Sequence, residues 1–146
     1  MTIVTNSVEE TENAGVALAA KLPGGAVVAL YGGLGAGKTA FVRGLARGLG
    51  INEGVSRPTF TIVNEYTGAG RELFHFDMYR LQGADELFDI GWEDYLARGG
   101  VCAVEWSENV EEALDGDEIK VSIEPLSDTG RRIGIRFPGE EEKGEA

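Results

Sequence analysis

The sequence predicts an α/β fold, a three-layer sandwich built on a small mixed sheet that includes an antiparallel hairpin. Three observations carry this. Residues 26–30 (AVVAL) and 101–105 (VCAVE) are short, continuous apolar runs of the kind that form strands buried on both faces. A glycine-rich loop and an amphipathic helical pattern follow the first run, in the strand, loop, helix order of a parallel α/β layer. Between the two runs, residues 59–67 (TFTIVNEYT) and 72–78 are strand-like segments joined by Gly68-Ala69-Gly70, a hairpin signal.

Ser7-Val8-Glu9-Glu10 reads as a capping box, with Ser7 as N-cap and Glu10 reaching back. A helix over residues 7–21 follows, burying Ala14, Leu18 and Leu22, and Pro23-Gly24-Gly25 stops it. After the first buried strand and its glycine loop, residues 38–49 form a helix apolar at Phe41, Val42, Leu45 and Leu49, ended by Gly50. Residues 85–98 read as one or two short helices broken near Gly91. After the second buried strand, residues 107–114 are expected to form a short acidic helix. Residues 119–124 and 132–137 form two last strands around a turn at Ser127-Asp128-Thr129-Gly130. Residues 1–137 are expected to be one domain, and 138–146 (PGEEEKGEA) a disordered acidic tail.

Composition narrows the function. The chain has 146 residues, 42% of them hydrophobic, enough for one compact domain. No apolar run approaches the roughly 20 residues of a membrane helix. The first ten residues lack a signal pattern, and the single cysteine, Cys102, cannot form an internal disulfide, so a cytoplasmic protein is expected. A net charge of -12 disfavours a protein that grips nucleic acid over its whole surface, because such binding neutralises phosphates with Lys and Arg. It leaves room for one local phosphate site. The 22 glycines point to where that site lies, since they cluster between Gly32 and Gly37.

Gly32-Gly33-Leu34-Gly35-Ala36-Gly37-Lys38-Thr39 fits the phosphate-binding pattern G-x-x-x-x-G-K-[ST]. The chemistry needs these residue types. Backbone N–H groups of Gly33, Leu34, Gly35, Ala36, Gly37, Lys38, Thr39 and Ala40 can curl around an anion, and glycines permit the curl. The following helix points its positive end at the same place. Lys38 is the expected ligand of β/γ-phosphate oxygens, and the Thr39 hydroxyl that of Mg2+. The buried strand before the loop and the amphipathic helix after it are the context the motif requires, so the fold expected is P-loop NTPase-like. Such a site also needs a carboxylate at the end of an apolar strand. Asp77, ending Leu73-Phe74-His75-Phe76-Asp77, and Glu105, ending the 101–105 run, are the two candidates. Either can hold the metal while the other orients water. The guanine-reading sequence N-K-x-D is absent, which makes adenine, and hence ATP, the default nucleotide.

Four segments in order, LYGGLGAGKTAFVRGL (30–45), VSRPTFTIVNEY (55–66), FHFDMYRL (74–81) and VEWSE (104–108), span nearly the whole chain, and together they resemble the bacterial TsaE (YjeE) ATPase family. The resemblance implies ATP hydrolysis with Mg2+ in the making of threonylcarbamoyladenosine in tRNA. TsaD and TsaB would be partners that carry out the transfer, and this chain the energy-coupling component. It implies phosphate and metal roles for Lys38 and Thr39, and metal or hydrolytic roles for Asp77 and Glu105. Thr59 falls on a segment that resembles a nucleotide-sensing switch, and Trp106 is placed to contact nucleotide or report its binding. Two positions depart from the family pattern: Gly33 stands where Asp is usual, and Arg57 where Ser is usual.

Other residues carry plainer expectations. His75, the sole histidine, is expected to hold a structural hydrogen bond, and Cys102 to be a core residue. Arg43 and Arg47, four apart, share a helix face expected to be solvated, and Arg80 is expected in an ion pair. Two rival functions use the same loop: a small-molecule kinase with an acceptor pocket, and an ATP-dependent interaction module with negligible hydrolysis. The charge is uneven. Residues 31–84 hold six basic and four acidic side chains, whereas 85–118 hold one basic and twelve acidic. Any direct tRNA contact would therefore use the first half, and the acidic half would repel RNA or meet a basic protein.

Overall fold

The computed structural model describes residues 1–33, 35–52, 54–55, 62–68 and 70–140. Its elements in chain order are β1 (Thr2–Thr5), α1 (Val8–Ala19), β2 (Val27–Tyr31), α2 (Lys38–Gly48), β3 (Val63–Gly68), β4 (Arg71–Asp77), α3 (Ala84–Asp89), α4 (Trp92–Ala97), β5 (Val101–Glu105), β6 (Ile119–Pro125) and β7 (Arg131–Arg136). The strands form one mixed sheet in the order β1-β7-β6-β2-β5-β4-β3. Its centre, β6-β2-β5-β4, is parallel, and β3, β7 and β1 each pair antiparallel with a neighbour.

The expected α/β sandwich and hairpin are present, with two differences. β1 was not expected: Thr2–Thr5 is only four residues and shows too little pattern to read as a strand, yet it gains the β7 edge. The acidic helix expected over residues 107–114 is instead two 3-10 turns, Ser107–Asn109 and Glu111–Ala113. Val110, between the two turns, leaves helical geometry (φ -133°, ψ 25°) and buries its side chain in the core, which splits the segment. The capping box is real. Ser7 Oγ accepts from Glu10 N at 3.1 Å, a contact worth about 1 kcal/mol, and Glu10 Oε1 accepts from Asn6 N at 3.0 Å.

Strand alternation decides which residues meet α2. In β4, Leu73, His75 and Asp77 share one face and Phe74 and Phe76 the other. In β5, Val101, Ala103 and Glu105 share a face. Leu73, Val101 and Ala103 pack in the core with α1 and α2, while Phe74, Phe76, Cys102 and Val104 pack with Leu87 of α3 and Trp92 of α4. His75, Asp77 and Glu105 therefore lie on the α2 side. On the other face Phe76 meets Trp92 edge-on at 5.2 Å, a contact worth roughly 1 kcal/mol beyond its burial, which pins β4 from behind. Cys102 is the expected core residue; burial pushes its thiol up to about 12. Among the described residues no helix is long and apolar enough to cross a membrane.

Part of the glycine excess serves the contact of α1 with α2. A Cβ on Gly44 would lie 1.8 Å from the Glu12 carbonyl oxygen, and one on Gly15 would lie 2.2 Å from that of Phe41. The two backbones touch, and Glu12 then reaches both Arg43 (3.3 Å) and Arg47 (3.2 Å). The arginine face expected to be merely solvated thus ties the helices together. Gly44→Ala sets two effects against each other. Alanine favours a helix by about 1 kcal/mol, but forcing a methyl into a backbone contact costs more. The expected outcome is a net loss of about 2 kcal/mol in urea unfolding; an unchanged or higher midpoint would contradict this packing.

Candidate functional site

The chain leaves β2 at Tyr31 and enters α2 at Lys38. Between them, Gly35 (φ 73°) and Gly37 (φ 106°) take left-handed backbone conformations that side chains disfavour. Gly37 is the N-cap of α2 and supplies no side-chain hydrogen bond, so the first helical amides stay available to an anion. Leu34 lies outside the described residues, as do Arg57 and Thr59.

Arg131, at the start of β7, braces this loop from outside. Its Nε donates to Ala36 O at 2.8 Å and its Nη2 to Gly35 O at 3.2 Å. Its Nη1 donates to Gly130 O and Ser127 O, at 2.7 and 2.9 Å. Two loop carbonyls are thereby held by a cation from outside the motif. No motif marks this arginine; it sits 95 residues from Ala36 in sequence, and only the β6–β7 pairing brings it there.

Of the expected polar residues, Lys38, Thr39 and Glu105 converge at the loop, and Asp77 stands beside Glu105 in register. Register pairs Asp77 of β4 with Glu105 of β5, and Glu105 with Leu30 of β2, so both carboxylates stand at the strand ends beside the loop. Thr39 Oγ1 donates to Glu105 Oε2 at 3.1 Å, joining α2 to β5. Lys38 is only 5% exposed; its Nζ donates to Gly32 O at 2.6 Å and lies 3.6 Å from the centre of the Trp106 ring. Asp77 Oδ1 accepts from Tyr79 N at 3.0 Å. Trp106 (φ 59°) is the one non-glycine residue at positive φ among the described residues. That conformation costs roughly 1–3 kcal/mol, which the cation–π contact with Lys38, at about 1–2 kcal/mol, largely offsets. The Tyr79 ring packs against the same indole, tilted, with centroids 5.0 Å apart.

These groups border a cavity of about 280 Å3 lined by Gly35, Ala36, Gly37, Lys38, Thr39, Ala40, Glu105, Trp106 and Arg131 among others. Asp77 does not line it. A larger cavity, about 610 Å3, opens between Pro23, Trp92, Leu114 and Phe137 and holds none of the expected site residues. Burial first, then the Glu111 and Glu118 carboxylates, push the Tyr31 phenol well above its ordinary range.

The donors fit a hard divalent cation. Thr39 and Glu105 offer oxygens already in contact, and Asp77 a third nearby. Among the described residues no group of three or more His, Cys, Asp or Glu could hold a metal alone. Such a set suits Mg2+, which takes one or two protein oxygens and completes its shell with phosphate and water.

His75, expected as a structural hydrogen-bonding residue, is fully buried and bonds Glu105 Oε2 through Nε2 at 2.5 Å. Arg80 is exposed and forms no ion pair among the described residues, contrary to the expectation.

Strand, glycine loop and helix, with a lysine and a threonine at the helix start facing strand-end carboxylates, define a P-loop NTPase-like protein. The family model described as "Threonylcarbamoyl adenosine biosynthesis protein TsaE" matches residues 5–133, and the chain belongs to that family. It is 41% identical over 135 residues to the tRNA threonylcarbamoyladenosine biosynthesis protein TsaE of Treponema pallidum (strain Nichols), covering 92% of this chain and 99% of that one. It is 42% identical over 131 residues to the protein of the same name from Bacillus subtilis (strain 168), covering 90% and 82%. The crystal structure of YdiB from Bacillus subtilis superposes with a TM-score of 0.77 at 36% identity, over 95% of this chain and 86% of that one. The family places the chain in tRNA threonylcarbamoyladenosine biosynthesis.

Arg131→Met keeps the side chain's bulk and removes its donors. Amide hydrogen exchange at Gly35 to Lys38 is expected to speed up about tenfold, with exchange in β5 unchanged. Equal protection in both proteins would mean that Arg131 does not brace the loop.

Proposed function

We propose that this chain binds Mg-ATP at the Gly32–Thr39 loop and hydrolyses it. The observation that carries the reading is the Thr39–Glu105 hydrogen bond beside the buried Lys38, because it assembles helix, strand-end carboxylate and cation at one anion-ready loop. In this reading the loop amides and the N-terminus of α2 receive the phosphates. Lys38 exchanges Gly32 O and the Trp106 ring for β/γ-phosphate oxygens, so Trp106 loses its cation and reports the event. Mg2+, when bound by Thr39 with Glu105 or Asp77, would supply positive charge to the same oxygens. The remaining carboxylate orients the water that attacks the γ-phosphorus.

The family supports placing this hydrolysis in threonylcarbamoyl transfer to adenosine next to the anticodon of tRNA. TsaD and TsaB counterparts would be the partners, the chain would act in the cytoplasm, and tRNA would be met through the complex. The steep acidity of residues 85–118 supports contact with protein rather than RNA from that half.

Phosphate release from Mg-ATP, measured with the TsaD and TsaB counterparts present and absent, tests the whole reading. The wild type should release phosphate without any added acceptor, and faster with the partners. Lys38→Ala should weaken nucleotide affinity at least about tenfold and abolish turnover. Glu105→Ala should lower hydrolysis by about 10²-fold and affinity for Mg-ATP less, by about tenfold. Wild-type turnover in Lys38→Ala, or no release by the wild type even with partners, would refute it.

A further inference from the structure

His75 is fully buried on β4, facing the α2 side, and no step described above uses it. Its register partner on β5 is Ala103, whose small side chain lets the imidazole reach over to Glu105, two residues further along the same face. Nε2 meets Glu105 Oε2 there, the oxygen that also accepts from Thr39. Nδ1 has no hydrogen-bond partner among the described residues. An orphaned lone pair is cheaper to bury than an orphaned N–H, so we assign the ring hydrogen to Nε2, which makes the imidazole a donor to Glu105.

Glu105 thus receives two hydrogen bonds on one oxygen, from the strand beside it and from the first turn of α2. Its other oxygen, Oε1, accepts none among the described residues. Two donors on Oε2 fix the rotation of the carboxylate about its terminal bond, which a single donor does not. A buried histidine with an unused nitrogen is also a poor choice for core filling, where leucine would leave nothing unpartnered. We propose that His75 is a positioning residue: it locks Glu105 so that Oε1 is presented to the divalent cation at the phosphate loop. The inference rests on the Mg-ATP reading of the site.

Its test compares ADP affinity with Mg2+ and with EDTA, by titration of a fluorescent ADP, for the wild type, His75→Leu and His75→Gln. Gln carries an amide N–H at about the reach of Nε2, and Leu carries none. In the wild type Mg2+ should tighten binding. In His75→Leu that enhancement should shrink about tenfold or more, the usual scale for losing a group that orients a metal ligand, while affinity in EDTA stays within about twofold. His75→Gln should restore most of the enhancement. Full enhancement in His75→Leu, an equal loss with Mg2+ and with EDTA, or no rescue by Gln would overturn the proposal. A wild type in which Mg2+ has no effect would instead overturn the reading of the site itself. Should His75→Leu not fold, the wild type still decides. His75 is the sole histidine, so its ring nitrogens give one assignable pair of 15N resonances. Mg2+ added to the ADP complex should shift Nε2 more than Nδ1, and no shift overturns the proposal.

Discussion

The hydrogen bond from Thr39 to Glu105 is the point on which this molecule turns. It joins the first turn of α2 to the end of β5, and thereby the glycine loop to the sheet. Neither partner could be there alone. Thr39 is placed because Gly35 and Gly37 turn the chain through left-handed conformations into α2. Glu105 is placed because the β2–β5 register sets it against Leu30, one residue before the strand gives way to the loop. A buried carboxylate loses its hydration, and a phosphate bound at the loop would set a like charge beside it. Lys38, Thr39 and His75 relieve part of that cost, and a divalent cation would relieve the rest.

The glycines divide into two physical roles. Those of the loop make an anion cradle, while Gly15 and Gly44 let α1 and α2 touch backbone to backbone. The second role supports the first. α2 carries Lys38 and Thr39, and α1 holds it on the sheet through that contact and through Glu12 bridging Arg43 and Arg47. On the opposite face Phe76 and Trp92 hold β4, and with it Asp77, from behind. The overall charge of -12 has its own geography: the acids concentrate in residues 85–118, around α3, α4 and the 3-10 turns, rather than on α2.

Much of this was legible in the sequence because local pattern and tertiary role coincide. The 101–105 run reads as a buried strand and is one, ending on Glu105. The G-x-x-x-x-G-K-T spacing reads as a loop entering a helix, and Lys38 and Thr39 do sit in the first turn of α2. Long-range consequences were not legible. Arg131 looks like any charge at a turn until the β6–β7 pairing carries it to Gly35 and Ala36. Gly44 reads as a weak spot in a helix until α1 is laid against it. β1 is too short to announce itself and depends on β7 for an edge. The 107–114 segment has helix-forming composition, but it breaks at Val110, whose non-helical backbone turns its side chain into the core. His75 was expected to be structural, but its bond to Glu105 follows only from register and the smallness of Ala103.

A crystal structure with Mg2+ and a non-hydrolysable ATP analogue tests the central claim most directly. Phosphates should be seated between Gly33 and Thr39, with the Lys38 ammonium withdrawn from Gly32 O and the Trp106 ring toward them. Nucleotide bound elsewhere, or a loaded site in which Lys38 still rests on Trp106 and Thr39 and Glu105 stand away from the phosphates, would contradict it.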